Sequence, residues 1–531
     1  MDSMQVEVRI ERYADQGRCV GHIDGRVVFV RFALPGELVR VELDEPHDRD
    51  DRFWTGEVAE VLEASPDRVE PVWQLAGSLA QGGGVGGADL VHVSLPGQLA
   101  WKSAVITDQM HRMGHVECDP VPVERADHDV ELGGLNWRTR IEMIADEHGM
   151  PSMRRRGSHV RVPIDTMPLA SRALLAVADE EHIWDGGFEP GSQIRLSVPE
   201  PRGIDTTHAD SQALLKAVGN NYAVLVDGEL RAGSKHLHES VTVAGETFDY
   251  RVDANGFWQV HRMAPVMLAN HVMDLVRRVL DDRKQAVLWD LYSGSGLFTL
   301  PLSMLAAERT RMLSIEGGRT AVRNAQYNLR HCRISSVDAR VGDVRRTLQH
   351  VPSDLAHPDV VVLDPPRAGA KAAVCRQIAE SGAKAVIYIA CDPTSLARDT
   401  ATLVGELGYR LTDIRAYDIY PMTHHVETVA VLSRKSASKS FIPVSISPKD
   451  MGLSEEKDQP TYANIRDYVQ KTHGMKVSSL YVAQMKAECG LETQADRSGD
   501  KKQPKCPPEK REAILDAFRH FGLIGEDETE K

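Results

Sequence analysis

The 531-residue chain has no cysteines spaced as C-x-x-C, and its seven (Cys19, Cys118, Cys332, Cys375, Cys391, Cys489 and Cys506) are scattered and odd in number. That usage argues against a disulfide framework and against a zinc site, and it suits a reducing compartment. No long uncharged apolar run occurs, and the first residues, Met1-Asp2-Ser3-Met4-Gln5, are polar. Secretion and membrane insertion are therefore not expected, and the cytoplasm is the expected location. Positive charge is not in excess either: 63 Lys and Arg face 77 Asp and Glu, a net charge of −14. Any nucleic-acid surface must then be local rather than global. What is present, 42% hydrophobic and 26% charged residues in 58.7 kDa, is ordinary for a soluble chain of three or four domains.

The stretch Ala385–Ala390 is apolar and β-branched, and reads as a buried strand. It runs into Cys391-Asp392-Pro393, where Pro393 ends the ladder, and Ser395-Leu396-Ala397-Arg398 begins a helix. A cysteine at the carboxyl end of a buried strand sits where α/β sheets place ligands. On position alone, a small buried apolar residue is the commoner fate.

Ahead of it, residues 1–64 hold short strand-like pieces (Val6-Val8-Ile10, Val27–Val30 and Val39-Val41-Leu43) punctuated by Gly17, Gly21, Gly25 and Pro35-Gly36. Such spacing predicts a small closed barrel. The run from Gly17 to Gly25, with Val28 to Glu37, resembles a TRAM domain, an OB-like RNA-binding barrel. Residues 65–262 contain the loop Gly82–Gly87, a helical stretch over Leu99–Met113 expected to pack on the catalytic domain, and a mixed α/β region. An arginine run is commonly a solvated face. In so acidic a chain, Arg138, Arg154, Arg155 and Arg156, near Trp137 and His159, are expected to hold phosphates and stack bases. Val224–Glu229 and Val241–Gly245 read as strands closing this region.

From a helix over Met263–Leu280, strands and helices alternate to residue 434, the pattern of a doubly wound parallel sheet. The strand Val287–Tyr292 leads into the turn Ser293-Gly294-Ser295-Gly296, which lets backbone approach a nucleoside cofactor. Phe298 stands where a dinucleotide fingerprint wants its third glycine, which disfavours NAD. Glu316, ending Met312–Ile315, is placed for ribose hydroxyls, and Asp343, after Asp338–Val341, for adenine. Val360–Leu363 is apolar enough to be central and ends in Asp364-Pro365-Pro366-Arg367. In amino-group methyltransferases that loop ends in an aromatic residue; here Arg367 stands instead. His424, His425 and Glu427 precede a last strand, Thr428–Leu432. A polar loop is the better reading of those three than a metal site, and no metal is expected.

In order and spacing, Asp290–Gly296, Asp364–Arg367, Cys391–Pro393 with Leu396–Asp399, and Tyr420–Glu427 closely resemble the TRAM-containing RNA uracil-5-methyltransferases, over roughly residues 5 to 434. The resemblance implies a class I (Rossmann-like) methyltransferase domain over 263–434, Cys391 as nucleophile and Glu427 as base. It further implies S-adenosyl-L-methionine bound by Gln259, Tyr292, Gly294, Gly296, Glu316, Asp343 and Asp364, and an RNA partner contacted by Arg367. Ribosomal RNA is expected first and transfer RNA second. Uracil C5 is a poor nucleophile until a thiolate adds at C6, so one cysteine, one base and a methyl donor are the required set. A lowered Cys391 pKa is expected, with Arg367 or Arg398 contributing, and the target base must leave its stack. Members of this family often carry iron–sulfur cysteines near Gly82–Gly87. Here Trp73, Leu75, Gly84 and Gly87 stand there, and without four thiolates no iron–sulfur cluster is expected. Two rivals remain, an exocyclic-amino methyltransferase and a non-catalytic RNA-binding protein on the same fold. Residues 435–459 read as a linker and 460–531 as a helical appendage without an assigned role.

Overall fold

The computed structural model describes residues 4–44, 52–435, 462–489, 506–521 and 523–524. The chain divides into two compact units, 1–439 and 440–531. Nearly all of the expected linker lies outside the described residues.

Five strands, β1 (Gln5–Tyr13), β2 (Arg18–Ile23), β3 (Arg26–Arg31), β4 (Leu38–Leu43) and β5 (Phe53–Glu63), close in the order β1-β2-β3-β5-β4. Val8, Ile10, Val28, Val30, Val39 and Val41 fill the barrel, so the period-two pattern read from the sequence is the one that is buried. The second strand falls on a stretch that reads as glycine turns. Gly21 belongs inside it because a Cβ there would lie 2.4 Å from a Val8 methyl and 2.6 Å from the Arg9 carbonyl oxygen.

The short strand β6 (Val123–Glu124) joins the catalytic sheet described below. Six strands follow: β7 (Arg140–Ala145), β8 (Pro151–Arg154), β9 (Arg161–Pro163), β10 (Gln193–Ser197), β11 (Ala223–Val226) and β12 (Glu229–Gly233). They form one antiparallel sheet in the order β12-β11-β10-β7-β8-β9. Val241–Gly245 does not close this sheet. It lies in a hairpin, β13 (His236–Val243) with β14 (Glu246–Asp253), whose Val241, Val243, Phe248 and Tyr250 pack in one core with the helix Ala264–Leu280.

The catalytic sheet holds β15 (Gln285–Leu291), β16 (Arg309–Glu316), β17 (Val337–Val341), β18 (Val360–Leu363), β19 (Ala385–Ala390), β20 (Tyr409–Tyr417) and β21 (Glu427–Arg434). Its order is β17-β16-β15-β18-β19-β21-β20-β6. Pairs from β17 to β19 are parallel, whereas β21 runs antiparallel to both neighbours. β18 and β19 are buried at every residue, as strands covered on both faces must be. The helix Leu95–Arg112, capped by the Ser94 hydroxyl accepting from the Gly97 amide, ties this sheet to the barrel. Its Ile106 and Met110 enter the sheet's core, and the Trp101 indole donates to the Ala14 carbonyl at 3.3 Å.

Among the described residues the second unit has three helices, Tyr462–His473, Ser479–Glu488 and Pro508–His520. Ile465, Val469, Val482, Met485, Ile514 and Phe518 make a core of their own.

Candidate active site

Parallel strands share a direction, so β15, β16, β17, β18 and β19 deliver their carboxyl ends to one edge of the sheet, where open α/β folds bind ligands. The antiparallel β21 brings its first residue to the same edge. Tyr292, Glu316, Gly342-Asp343, Asp364, Cys391 and Glu427 therefore converge there, one strand apart.

On the cofactor side, Tyr292 has a left-handed backbone (φ 62°), unusual for a bulky residue. Gly294 and Gly296 continue the turn at φ 54° and 93°, where side chains are disfavoured. The Glu316 carboxylate accepts from the Gly294 amide (3.1 Å) and the Gly318 amide (2.6 Å), which fixes the turn against β16. Asp343 is exposed and caps the next helical turn through the Arg346 amide. Gln259 is buried. Asp290, fully buried, accepts from the Thr299 hydroxyl with one oxygen; its other oxygen has no partner among the described residues. Burial pushes the Asp290 carboxyl up to about 7. Burial, then the charges of Asp290 and Glu316, push Asp364 up to about 7 as well. An orphaned carboxylate oxygen amid acids that resist ionising fits a cationic ligand, and a sulfonium is one.

On the catalytic side, the β19–β21 ladder pairs Ala390 with Thr428. Extending it by one residue sets Cys391 opposite Glu427, and directly opposed residues in such a ladder lie about 5 Å apart. Glu427 is buried, and the Tyr420 hydroxyl approaches its Oε2 at 3.5 Å. Its carboxyl is raised well above the usual range by burial first and then by Asp364. Cys391 is half-buried, and the expected lowering of its pKa does not occur in the free protein. Burial, then the charges of Glu427 and Asp364, push the thiol up to about 12, and Arg367 opposes them without prevailing. Arg398 instead donates to the Ala368 carbonyl oxygen at 2.7 Å. Iodoacetamide should accordingly modify Cys391 slowly at pH 7, its rate climbing about tenfold per pH unit up to pH 10. Peptide mass spectrometry reads this, and a plateau near pH 8 would contradict it.

The loop between β20 and β21 is anchored by a buried ion triad. Lys102 and Arg125 both pair with Asp418, and Lys102 also donates to the Tyr420 carbonyl at 3.0 Å. Met422, at φ 65°, accepts through its sulfur from Gln98 Nε2 at 3.2 Å, and its amide donates to Gln98 Oε1 at 3.0 Å. Asp418→Ala would leave two buried cations unpaired. A loss of about 3–5 kcal/mol in unfolding free energy is expected, and denaturant titration measures it.

Cys391 opens into a cavity of about 420 Å³ whose walls come from the barrel, the catalytic loops and the Arg156-Gly157 segment. His424 donates to Asp89, Nδ1 to Oδ2 at 2.6 Å, and the Arg367 guanidinium lies 3.1 Å from His425 Nε2. No group of three or more metal-ligating side chains is found among the described residues. Sequence reasoning missed Asp89, Lys102 and Asp418, which carry no local motif and reach the site only through long-range packing.

The arginines expected to meet RNA divide. Arg154 is exposed and Arg155 half-buried beside it. Arg156 is committed inward: it donates to the carbonyls of Ala76 (3.1 Å), Val85 (2.9 Å) and Gly77 (2.5 Å), and it covers the Phe32 ring. Arg138 donates to the Arg140 carbonyl and lies over Trp137. Trp137 itself is completely buried, stacked on His261, so it offers no face to a base. Arg367 is exposed at the cavity.

Comparison with known proteins bears on this geometry. Residues 227–435 match the family model of tRNA (uracil-5-)-methyltransferases, and residues 4–50 match the TRAM domain. An uncharacterized RNA methyltransferase of Bifidobacterium longum is 72% identical, over 81% of this chain and 97% of that protein. The chain belongs to the TRAM-containing RNA uracil-C5 methyltransferases. Like them it is a methyltransferase that takes its methyl group from S-adenosylmethionine. The 23S rRNA (uracil(1939)-C(5))-methyltransferase RlmD of Methylococcus capsulatus is 30% identical, again over 81% of this chain and 97% of its own length. The crystal structure of tRNA (uracil-54, C5)-methyltransferase from Pyrococcus abyssi, in complex with S-adenosyl-L-homocysteine, shares the fold (TM-score 0.54, 20% identity, 81% of this chain and 100% of that one). Among the described residues no helix is long and apolar enough to cross a membrane.

Proposed function

We propose that Cys391 and Glu427 carry the uracil-C5 methylation, and that the acceptor is a uridine extruded from folded transfer RNA. The observation that supports the catalytic pair is the ladder register setting Cys391 opposite Glu427, beside the glycine turn. The Cys391 thiol releases its proton to solvent and the sulfur bonds to C6, the C5=C6 electron pair moving into an enolate that makes C5 nucleophilic. S-adenosylmethionine supplies the electrophilic methyl group. Glu427, ionised at that stage, removes the C5 proton, the S–C6 bond breaks, and Cys391 is restored. Tyr420, donating to Glu427, holds that carboxylate in place. Gln259, Tyr292, Gly294, Gly296, Glu316, Asp343 and Asp364 hold the cofactor, and its positive charge favours the ionised forms of Asp364 and Glu427.

Transfer RNA is favoured by the description of the matching family model and by the substrate of the Pyrococcus abyssi enzyme. Ribosomal RNA is the second reading, favoured by the Methylococcus capsulatus relative. Cofactor-dependent release of tritium from C5-labelled uracil RNA tests the reaction. An exocyclic-amino methyltransferase or a non-catalytic RNA-binding protein would release none. Mapping 5-methyluridine in transfer and ribosomal RNA from cells with and without the protein assigns the target.

The acids at this edge give the cofactor a pH signature. Asp290 and Asp364 keep their protons up to about pH 7 in the free protein, above the ordinary carboxyl range. A cation binds their ionised forms more tightly, so affinity for S-adenosylmethionine should rise from pH 5 to pH 8 with release of protons. Calorimetry in two buffers of different ionisation enthalpy measures both, and a pH-independent affinity would contradict the placement.

A further inference from the structure

The cavity over Cys391 is walled partly by the barrel, through Asp15, Gln16, Gly17, Arg31 and Phe32. These residues sit on two points of unusual backbone. Gln16 and Gly17 turn at φ 59° and 67°, and Phe32, the residue after β3, turns at φ 59°. The turn is pressed onto the catalytic loops: a Cβ on Gly17 would lie 3.2 Å from Asp89 and 3.6 Å from His424. Left-handed conformations at a bulky aromatic persist where the surroundings hold them, and such positions cluster at ligand sites.

The charges lining this space are not equally occupied. Asp15 accepts from the Gln16 amide (2.7 Å) and the Thr394 hydroxyl (3.3 Å), and Asp392 accepts from the Ser395 amide (2.8 Å). Asp89 is paired with His424, Lys102 with Asp418, and Arg156 with backbone carbonyls. Arg31, half-buried at the end of β3, has no hydrogen-bond or ion-pair partner among the described residues. Arg31 thus brings to the wall of a cavity whose carboxylates are already engaged a guanidinium without a partner, the kind of group that binds anions.

We propose that Arg31 binds a backbone phosphate flanking the extruded uridine, so that the barrel supplies one wall of the nucleotide pocket as well as affinity for the body of the RNA. The inference rests on the proposed reaction at Cys391. A uridine whose C6 meets that sulfur brings its own phosphates into the same cavity, and Arg31 then fixes the ribose–phosphate while Cys391 and Glu427 address the base.

The test uses the full chain and fluorescein-labelled AAUAA pentaribonucleotide, with and without a neutral methylphosphonate linkage on either side of the uridine. Anisotropy reads affinity without turnover, so the result stands apart from the tritium-release assay that tests the reaction. For the wild type, one of the two neutral linkages should weaken binding about tenfold. Arg31→Ala should weaken binding to the unmodified pentamer by a similar factor, lose the sensitivity to that linkage, and lower the slope of log K against log salt by about 0.7. Arg31→Lys should keep most of the slope, which separates loss of charge from loss of fold; thermal melting of each variant checks folding directly. The proposal is overturned if the wild type does not bind the pentamer, if neither linkage matters to it, or if folded Arg31→Ala remains as sensitive to the linkage as wild type.

Discussion

Cys391→Ala should abolish methylation of RNA, with a fall in kcat on the order of 10⁴-fold or more, the scale seen when a covalent nucleophile is removed. It should also abolish covalent capture of RNA while leaving S-adenosylmethionine affinity within about twofold of wild type. The reason is chemical before it is structural. Without sulfur at C6 nothing raises the electron density at C5, and among the described residues no other thiol lines the cavity to replace it. Replacing a half-buried thiol by a methyl group leaves β19 and the helix Pro393–Ala401 intact, because the Asp392 cap and Pro393 define that junction. Rapid-quench kinetics and equilibrium dialysis separate the two quantities. A variant that still methylated uracil would remove Cys391 from the mechanism.

Glu427→Gln should fail later in the same cycle. Attack at C6 and methyl transfer precede proton removal, so a neutral amide at 427 should stall the enzyme as a covalent protein–RNA species. Turnover should drop by about 10²–10⁴-fold, the usual range for loss of a general base. The stalled species should survive denaturing electrophoresis and contain the transferred methyl group. Two variants of adjacent residues would thus give opposite results in one capture assay, none for Cys391→Ala and excess for Glu427→Gln. Loss of activity through misfolding cannot produce that contrast. At alkaline pH, where Glu427 is ionised, the same substitution deletes a negative neighbour of the sulfur, so the free thiol should alkylate faster there in Glu427→Gln than in wild type.

The sheet was legible because its strands announce themselves: Val360–Leu363 and Ala385–Ala390 are unbroken apolar runs, and both are fully buried. The glycine turn after β15 was legible because glycine at 294 and 296 has a backbone cause, visible as positive φ at both. The pairing of Cys391 with Glu427 was readable from motif resemblance, while the antiparallel register that brings them together was not. Local reasoning erred where long-range packing decided. Trp137 and Arg156 sit in polar, basic stretches yet are turned inward by the His261 ring and by the carbonyls of residues 76, 77 and 85. The sulfur's pKa was misjudged for the same reason. Arg367 is near in sequence to the motif, but burial of the sulfur first, and then the carboxyls of Glu427 and Asp364, delivered by β21 and β18, outweigh it. β13, read as part of the central region, has a strand's alternation either way, and only its partners place it on the catalytic core.

The most direct measurement uses RNA in which 5-fluorouridine replaces uridine, incubated with the enzyme and S-adenosylmethionine and then digested for peptide mass spectrometry. Fluorine at C5 cannot leave as a proton does, so the cycle should stop with the pyrimidine, newly methylated at C5, joined through C6 to the peptide that contains Cys391. Adduct on any other residue, or 5-methyluridine formed from ordinary RNA with no adduct on the fluorinated one, would contradict the account.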